Sequence, residues 1–544
     1  MRLRRLPLLG DPVRSEASKL TAGRRARELG AALNAARPFD VVVIGGGATG
    51  TGVALDAASR GLSTVLVEAH DLAFGTSRWS SKLAHGGLRY LATGDVGVAH
   101  ESAIERGTLL RIAPHLVRGT PMMLPLLPGV AAKKARLMGL GFVAGDLLRR
   151  AAGTPGSELP SPRRLRPAAT AALAPSLPTA GLRGAYLMHD GQLTDDARLV
   201  VAIARTAAGH GASVLTRVRA TAVTAAGVEV RDELTGATGT IAARAVVNAT
   251  GVWGASVAPE LELRPSRGTH VVLDGAALPG LRASLTLPYP GERNRYLLVL
   301  PQPDGRIYLG LTDEAVETIE DVPTPQPWEI EEMVAALGTV LGATVDPSHV
   351  LGAFAGLRPL LAGTAGKPSG DDSSGARGDA GSEPTATADL SRDHAIVRGE
   401  HGLVSVVGGK LTTYRRMAQD AVDAAVDHAA LSPASGCRTA TLPLIGAAPR
   451  AHLAALPFPP LRVARFGTEA AVVAAMERTQ PDLAEEIAPG VGVTHAELRF
   501  AVEREGALDA ADLLDRRFRI GLVPAQREAA LPAAEAAIGA RSRT

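Results

Sequence analysis

The chain has 544 residues, with 58 basic against 55 acidic side chains, a formal charge of +3, 46 % hydrophobic and 3 % aromatic residues. That length and apolar share support several domains with real cores and exclude global disorder, while weak charge and few aromatics argue against a nucleic-acid surface. A lone cysteine, Cys437, excludes an internal disulfide or a cysteine-built zinc cluster and fits a reducing compartment.

Residues 1–37 read as a basic extension with helical character around RRARELGAALNAAR. Its LPLLG run is shorter than the ~7–15 residues of a secretory h-region, and no segment reaches the ~18 apolar residues of a membrane span. From Pro38 the pattern changes. Val41 to Ile44 is a continuous β-branched run, as a strand buried on both faces requires. Gly45, Gly47 and Gly50 then form G-x-G-x-x-G, a helix with small inner residues follows, and a second strand, Ser63 to Val67, ends at Glu68. Strand, glycine turn, helix, strand and acid in that order predict a dinucleotide site: the glycines admit a pyrophosphate to the helix N-terminus, and Glu68 accepts the ribose hydroxyls. The stretch after Glu68, HDLAFGTSRWSSKLAHGGLRYL, is rich in hydroxyls and glycines and lacks the next βα unit of a nicotinamide domain. It suits a flavoprotein loop.

Further on, residues 131–150 put Leu137, Leu140, Ala144, Leu147 and Leu148 near one helical face, flanked by Lys133, Lys134, Arg136, Arg149 and Arg150. Such a helix either lies on an anionic bilayer surface or packs on its own domain. A helix from Asp195 to His210 and a strand at Ser213–Thr216 precede a short meander (Ala220–Val223, Val228–Val230, Thr240–Ile241) and an apolar strand at Ala245–Ala249. His270–Leu273, Tyr296–Leu300 and Ile307–Gly310 alternate like strands with one wet face. Residues 364–389 are dominated by Gly, Ser, Asp and Pro and read as a disordered insertion. Leu403–Val407 runs into Gly408-Gly409 and a helix, and from 432 the chain reads as helical, with Thr494 and Glu497 forming a capping box and another helix at Asp509 to Phe518.

Taken together, SSKLAHGGLRYL, YLMHDGQLTDDARLV, NATGVWG, RGTHVVL, GLTDE, GLRPLL, SRDHAI and VVGGKLTTYRRM resemble, in order, the FAD-dependent glycerol-3-phosphate dehydrogenase family, aerobic and quinone-linked. The resemblance implies an α/β plus α fold: a Rossmann-like FAD-binding domain (39–126, 191–263 and 395–430) interleaved with a mixed-sheet substrate domain (127–190 and 264–394), then a C-terminal helical domain (432–544). It implies FAD held by Gly45, Gly47, Ala48, Thr49, Gly50, Glu68, Thr76, Ser77, Ser80, Ser81, Lys82, Leu83, His85, Gly87, Val218, Thr250, Gly251, Gly409, Lys410, Leu411 and Thr412.

The implied reaction oxidises sn-glycerol 3-phosphate to dihydroxyacetone phosphate. Its base would be His85 first or His270 second, both able to titrate near working pH. Arg89, Arg358, Arg392 and Lys410 would hold the phosphate, and Lys410 with the helix it opens would stabilise charge on reduced flavin. Only six of the basic residues are lysine, and Lys82 and Lys410 sit inside the two strongest flavin motifs. Two positions depart from the family pattern: Arg267 stands where lysine is usual, and GLTD replaces G-T-T-D. The implied acceptor is a membrane quinone, with peripheral attachment at the cytoplasmic face. A glycerol-3-phosphate oxidase using oxygen, a non-catalytic FAD-binding protein and a homodimeric state stay open; no metal and no nucleic acid are expected.

Overall fold

The computed structural model describes residues 16–87, 95–128, 132–292, 295–361 and 394–541. Arg89, Arg392, residues 1–15 and the 364–389 segment lie outside that set.

Phe39–Ile44 forms the central strand of a six-stranded sheet because Val41, Val42 and Val43 are fully buried and flank residues equally apolar. The sheet order is His394–Arg398, Leu403–Gly408, Ala243–Asn248, Phe39–Ile44, Thr64–Glu68 and Ser213–Thr216, parallel except for the antiparallel edge pair His394–Arg398 with Leu403–Gly408. Helices Ala48–Ser59, Asp196–Gly209 and Tyr414–His428 cover one face. Close packing needs small residues: a Cβ at Gly52 would stand 2.9 Å from the Tyr414 ring. A three-stranded antiparallel meander (Val218–Thr224, Gly227–Asp232, Thr238–Ile241) packs on the other side.

The second sheet is mixed and larger. Leu263–Asp274 and Val350–Leu361 pair along nearly their whole length, Arg306–Gly310 and Tyr296–Pro301 extend the sheet, and Ser284–Pro288 joins Val117–Pro125 in parallel. Val117–Pro125 in turn pairs with Ala185–Leu193, on whose far side lies the short strand Leu83–Ala84. The segment ending at 126, grouped from sequence with the nucleotide domain, therefore gives a long strand to the other sheet. Its Gly119 and two prolines hid the alternation, and its partner lies about 60 residues away. The flavin-loop strand Leu83–Ala84 crosses over in the same way.

The described part of the N-terminal extension is built into the fold. Helix Ala22–Leu33 is capped by Thr21, buries Leu29 and Ala32, and sends Arg25 into an ion pair with Asp232 and a 2.6 Å hydrogen bond to the Thr216 carbonyl. The C-terminal helices close round Phe466, Phe500, Leu498 and Leu514, with the capping box of Thr494 and Glu497 in place. The helix expected from Asp509 to Phe518 is present as a π-helix, Asp512–Arg517, in which Asp512 pairs with Arg516. Among the described residues no helix is long and apolar enough to cross a membrane.

Candidate active site

The glycine turn after Ile44 is a cradle that side chains would fill. Gly45 has φ 110°, a Cβ there would meet the Ala249 carbonyl, and one at Gly50 would overlap the Gly45 carbonyl. Gly47 offers helix Ala48–Ser59 no side-chain cap, and the hydroxyl of Ser77 supplies it, accepting from Ala48 N at 2.9 Å. Thr49 is half-buried on the first turn. Glu68 accepts from Gly46 N (2.6 Å) and His70 N (2.8 Å), and burial raises its pKa. Val218 is buried directly after Arg217, whose N–H donates to the His70 carbonyl. On the opposite rim the Thr250 hydroxyl donates to Asn248 at 2.7 Å and Gly251 turns with φ 61°.

The flavin loop lies across the strand Val350–Leu361. Thr76 donates to the Leu357 carbonyl at 2.7 Å, and Trp79 fills the space over Gly356. Ser80 gives both its N–H (2.9 Å) and its hydroxyl (2.7 Å) to Asp196. Lys82, fully buried with φ 57°, pairs with the same carboxylate at 3.0 Å and donates to the carbonyls of Arg78 and Ser80. Burial pulls its pKa down to about 8 despite Asp196. Lys82, expected from sequence at the cofactor, spends its ammonium on the flavin loop and Asp196. Leu83 pairs with Gln192, and half-buried His85 leads into Gly86, whose N–H donates to Asp190 at 3.1 Å. Arg106 closes that carboxylate at 2.7 Å. Gly87, with φ 78°, rests against Ala99 and Ser102.

Ser81, on the loop before strand Leu83–Ala84, and His270 meet, Oγ to Nε2 at 2.8 Å. The His270 ring stacks on Phe354 at 4.8 Å and 8°, and Gly310 leaves room for it. Burial, with the charges of Lys82 and Arg358, pushes its pKa down to about 3, so the imidazole is neutral. Arg358 pairs across the ladder with Ser266 and sits on the His270 side of the sheet, since residues 266, 268 and 270 share a face. Its guanidinium occupies the space above Gly268 and donates to Ser266 (3.1 Å), Asp313 (2.9 Å) and the Thr312 carbonyl (3.1 Å). Arg267, the departure from lysine, stands 3.3 Å from buried Glu329, which accepts from Thr312.

The turn Gly408-Gly409 (φ 78° and 73°) opens the short helix Leu411–Thr413, with half-buried Lys410 donating to Ser102 at 3.1 Å. Helix Val96–Ile112 thereby carries contacts to both the 85–87 loop and the Lys410 turn. Among the described residues, the buried polar atoms without a partner include Thr412 Oγ1, Trp79 Nε1 and His270 Nδ1 on these elements. A cradle that no side chain can enter, a capped helix N-terminus, an acid at the ribose position and orphaned donors beyond it fit a bound dinucleotide with a tricyclic end.

Comparison with known proteins agrees. Residues 40–415 match the FAD dependent oxidoreductase family, and residues 437–541 match the C-terminal domain of alpha-glycerophosphate oxidase. Glycerol-3-phosphate dehydrogenase 1 of Mycobacterium tuberculosis (strain H37Rv) is 51 % identical over 514 residues, covering 94 % of this chain and 96 % of its own. The chain belongs to the FAD-dependent glycerol-3-phosphate dehydrogenase family. FAD is its cofactor. Glycerol-3-phosphate dehydrogenase of Mycobacterium leprae is 36 % identical, over 89 % of this chain and 81 % of its own. The solved glycerol-3-phosphate dehydrogenase of Bacillus halodurans, complexed with FAD, superposes with TM-score 0.70 at 25 % identity, over 95 % of this chain and 94 % of that one.

Sequence reasoning missed several residues around the candidate site. Asp196 and Asp190 organise the flavin loop, Phe354 carries His270, and Asp313, Thr312 and Ser266 hold Arg358. Asp195-Asp196 at a helix start was a visible signal, but an N-cap acid looks the same as a loop anchor.

Proposed function

We propose that the chain oxidises sn-glycerol 3-phosphate to dihydroxyacetone phosphate and passes the electrons to a membrane quinone. Bound FAD supplies the hydride acceptor. The observation that carries the reading is the meeting of a neutral, loop-anchored imidazole with a guanidinium on one sheet face: His270 on Ser81 at 2.8 Å, and Arg358 over Gly268.

Arg358 and Lys410 hold the phosphate, with Arg89 and Arg392 as further candidates, and a planar fork suits a phosphate better than a point charge. His270 takes the C2 hydroxyl proton. Its conjugate acid is opposed by Lys82 and Arg358, so a phosphate dianion at Arg358 offsets that opposition and raises the basicity of His270 when substrate is present. Ser81 orients the ring. His85, directly after strand Leu83–Ala84, is the alternative base. The short helix that Lys410 opens, with Thr412, would stabilise negative charge on the reduced cofactor. The cradle residues named from sequence, from Gly45 to Glu68 with Thr76, Ser77, Thr250 and Gly251, would hold the nucleotide and ribityl parts.

For the acceptor, helix Ala132–Ala151 supports a membrane-dissolved partner. Leu137, Leu140, Val143 and Leu147 are 68, 67, 58 and 60 % exposed along one stripe, with Lys133 and Arg136 exposed beside it. This differs in detail from the face expected: Ala144 and Leu148 are half-buried, and Arg149 is buried against Asp146. An apolar stripe beside cations suits the surface of an anionic bilayer at the cytoplasmic face. The oxidase reading has its own support in the C-terminal domain, whose family model is named for an oxidase.

Anaerobic addition of glycerol 3-phosphate to the yellow holoenzyme tests the substrate. Rapid bleaching is expected, and a flavin that stays oxidised overturns the assignment. Turnover with a quinone in vesicles against turnover in air with peroxide detection then separates the two acceptors.

A further inference from the structure

The C-terminal helical domain reaches the flavin loop through arginines that the reading above leaves without a role. Arg517 is fully buried and bidentate on Asp71, at 2.7 and 2.9 Å, three residues past Glu68. Arg519 donates from Nη2 to the Arg78 carbonyl at 2.5 Å, holds Nε 3.3 Å from Asp195 and lies 5.0 Å from the Trp79 ring. That same carbonyl accepts from Lys82 at 3.0 Å. Lys82 is locked to Asp196, Asp196 to Ser80, and the next hydroxyl, Ser81, to His270.

One continuous set of polar contacts thus runs from the third domain to the candidate base in the second sheet. Both cations that pinch the 78–82 turn, Lys82 and Arg519, adopt left-handed backbone with φ 57° and 55°. Non-glycine residues keep that conformation only where the surroundings over-determine it.

We propose that the C-terminal domain completes the active site, with Arg519 as a positioning residue that fixes the 78–82 turn and, through Ser81, the orientation of the His270 imidazole. This rests on the reading of His270 as proton acceptor. A guanidinium serves the Arg78 carbonyl and Asp195 at once from a rigid plane, which an ammonium does not. Angular freedom at His270 costs rate more than substrate affinity, because the phosphate contacts lie elsewhere.

The test uses flavin-loaded, full-length Arg519→Lys in anaerobic stopped-flow reduction by glycerol 3-phosphate. The limiting rate of flavin reduction should fall roughly 10- to 100-fold, with the substrate dissociation constant within about threefold of wild type. Ser81→Ala should show a similar loss. In the double variant the losses should not multiply: adding Arg519→Lys to Ser81→Ala should slow reduction by no more than about twofold. A limiting rate within about twofold of wild type for Arg519→Lys, or multiplying losses, overturns the proposal. Asp195→Asn, which keeps the helix cap but weakens the Arg519 pair, carries the same test if Arg519→Lys does not retain flavin. Wild-type flavin that glycerol 3-phosphate fails to bleach overturns the substrate assignment and this proposal with it. Wild-type bleaching matched by equally fast Arg519→Lys bleaching overturns this proposal alone.

Discussion

Lys82 and Lys410 occupy equivalent places in their motifs, each at a turn between a sheet and a helix, yet their surroundings differ. Lys82 is sealed at 1 % exposure with a carboxylate, two carbonyls and the faces of Phe354 and Tyr308 around its ammonium. Lys410 is half-buried beside a neutral hydroxyl. A cation wholly matched by the protein fixes a loop. On the function proposed, one that is only half-buried stays within reach of an anion that comes and goes. The arginines divide by exposure instead: Arg517 on Asp71 and Arg205 on Glu469 are buried scaffold, whereas Arg358, though paired with Asp313 at 2.9 Å, is still 19 % exposed.

Breaking the first kind should cost the most. Lys82→Met leaves Asp196 buried without its cation, and we expect a loss of about 3–5 kcal/mol of stability, read as a lowered unfolding midpoint and poor flavin retention. Lys410→Met should leave the midpoint unchanged and lower kcat/KM about 10- to 100-fold, as for removing one charged hydrogen bond to a phosphate. Equal destabilisation by the two would erase the distinction. Arg358→Lys sharpens it further. Charge is kept, but the fork that joins Ser266, Asp313 and Thr312 is lost, so KM should rise about tenfold while the midpoint moves by less than about 1 kcal/mol.

These contrasts also mark what the sequence made legible. The Rossmann unit was readable because each step is local: Val41 to Ile44, the glycine turn and Glu68 lie within thirty residues and each has one physical reason to be there. Residue types at the site were readable through motif context, which brought His270 and Arg358 forward. Their partners were not, because Asp196, Asp313 and Phe354 carry no signal that separates an anchor from an ordinary cap, strand or core residue. Strand Val117–Pro125 was not seen at all, since its pairing is decided by a strand far along the chain. The arginines of the C-terminal domain were hidden by abundance, as one guanidinium among dozens gives no hint that it is fully buried.

A smaller effect separates a site histidine from a remote one. His115 and His270 are both buried and both pushed down to about 3, His115 by burial and Arg198, His270 by burial, Lys82 and Arg358. Each stays neutral in the folded chain but protonates near pH 6.5 once unfolded. Between those values the unfolded state binds more protons, so stability falls as pH drops from about 6.5, by up to ~1.4 kcal/mol per pH unit per histidine. Denaturant melts of His115→Gln should show a shallower acid slope in the presence or absence of substrate. Glycerol 3-phosphate should flatten the remaining slope of that variant, since its phosphate offsets Arg358 beside His270. An acid slope indifferent to substrate would place the phosphate away from His270.

The least effect on stability is expected where the surface is most apolar. Changing Leu137, Leu140 and Leu147 together to serine removes exposed side chains with little to lose in the fold, so the unfolding midpoint should stay within about 0.5 kcal/mol. The same three leucines, buried in a bilayer surface, contribute about 1.5–3 kcal/mol each, so binding to anionic vesicles should drop by more than 100-fold in a co-sedimentation assay. Trp328 provides the control, since it is 48 % exposed on a different helix, Pro327–Leu341, and Trp328→Ser should leave vesicle binding intact. Reduction of the flavin by substrate should be untouched in the triple variant, as should transfer to a water-soluble quinone analogue. Only turnover with quinone held in the vesicles should fail. Vesicle binding that survives the triple change would return the stripe to an unexplained surface and leave the acceptor to be found by chemistry alone.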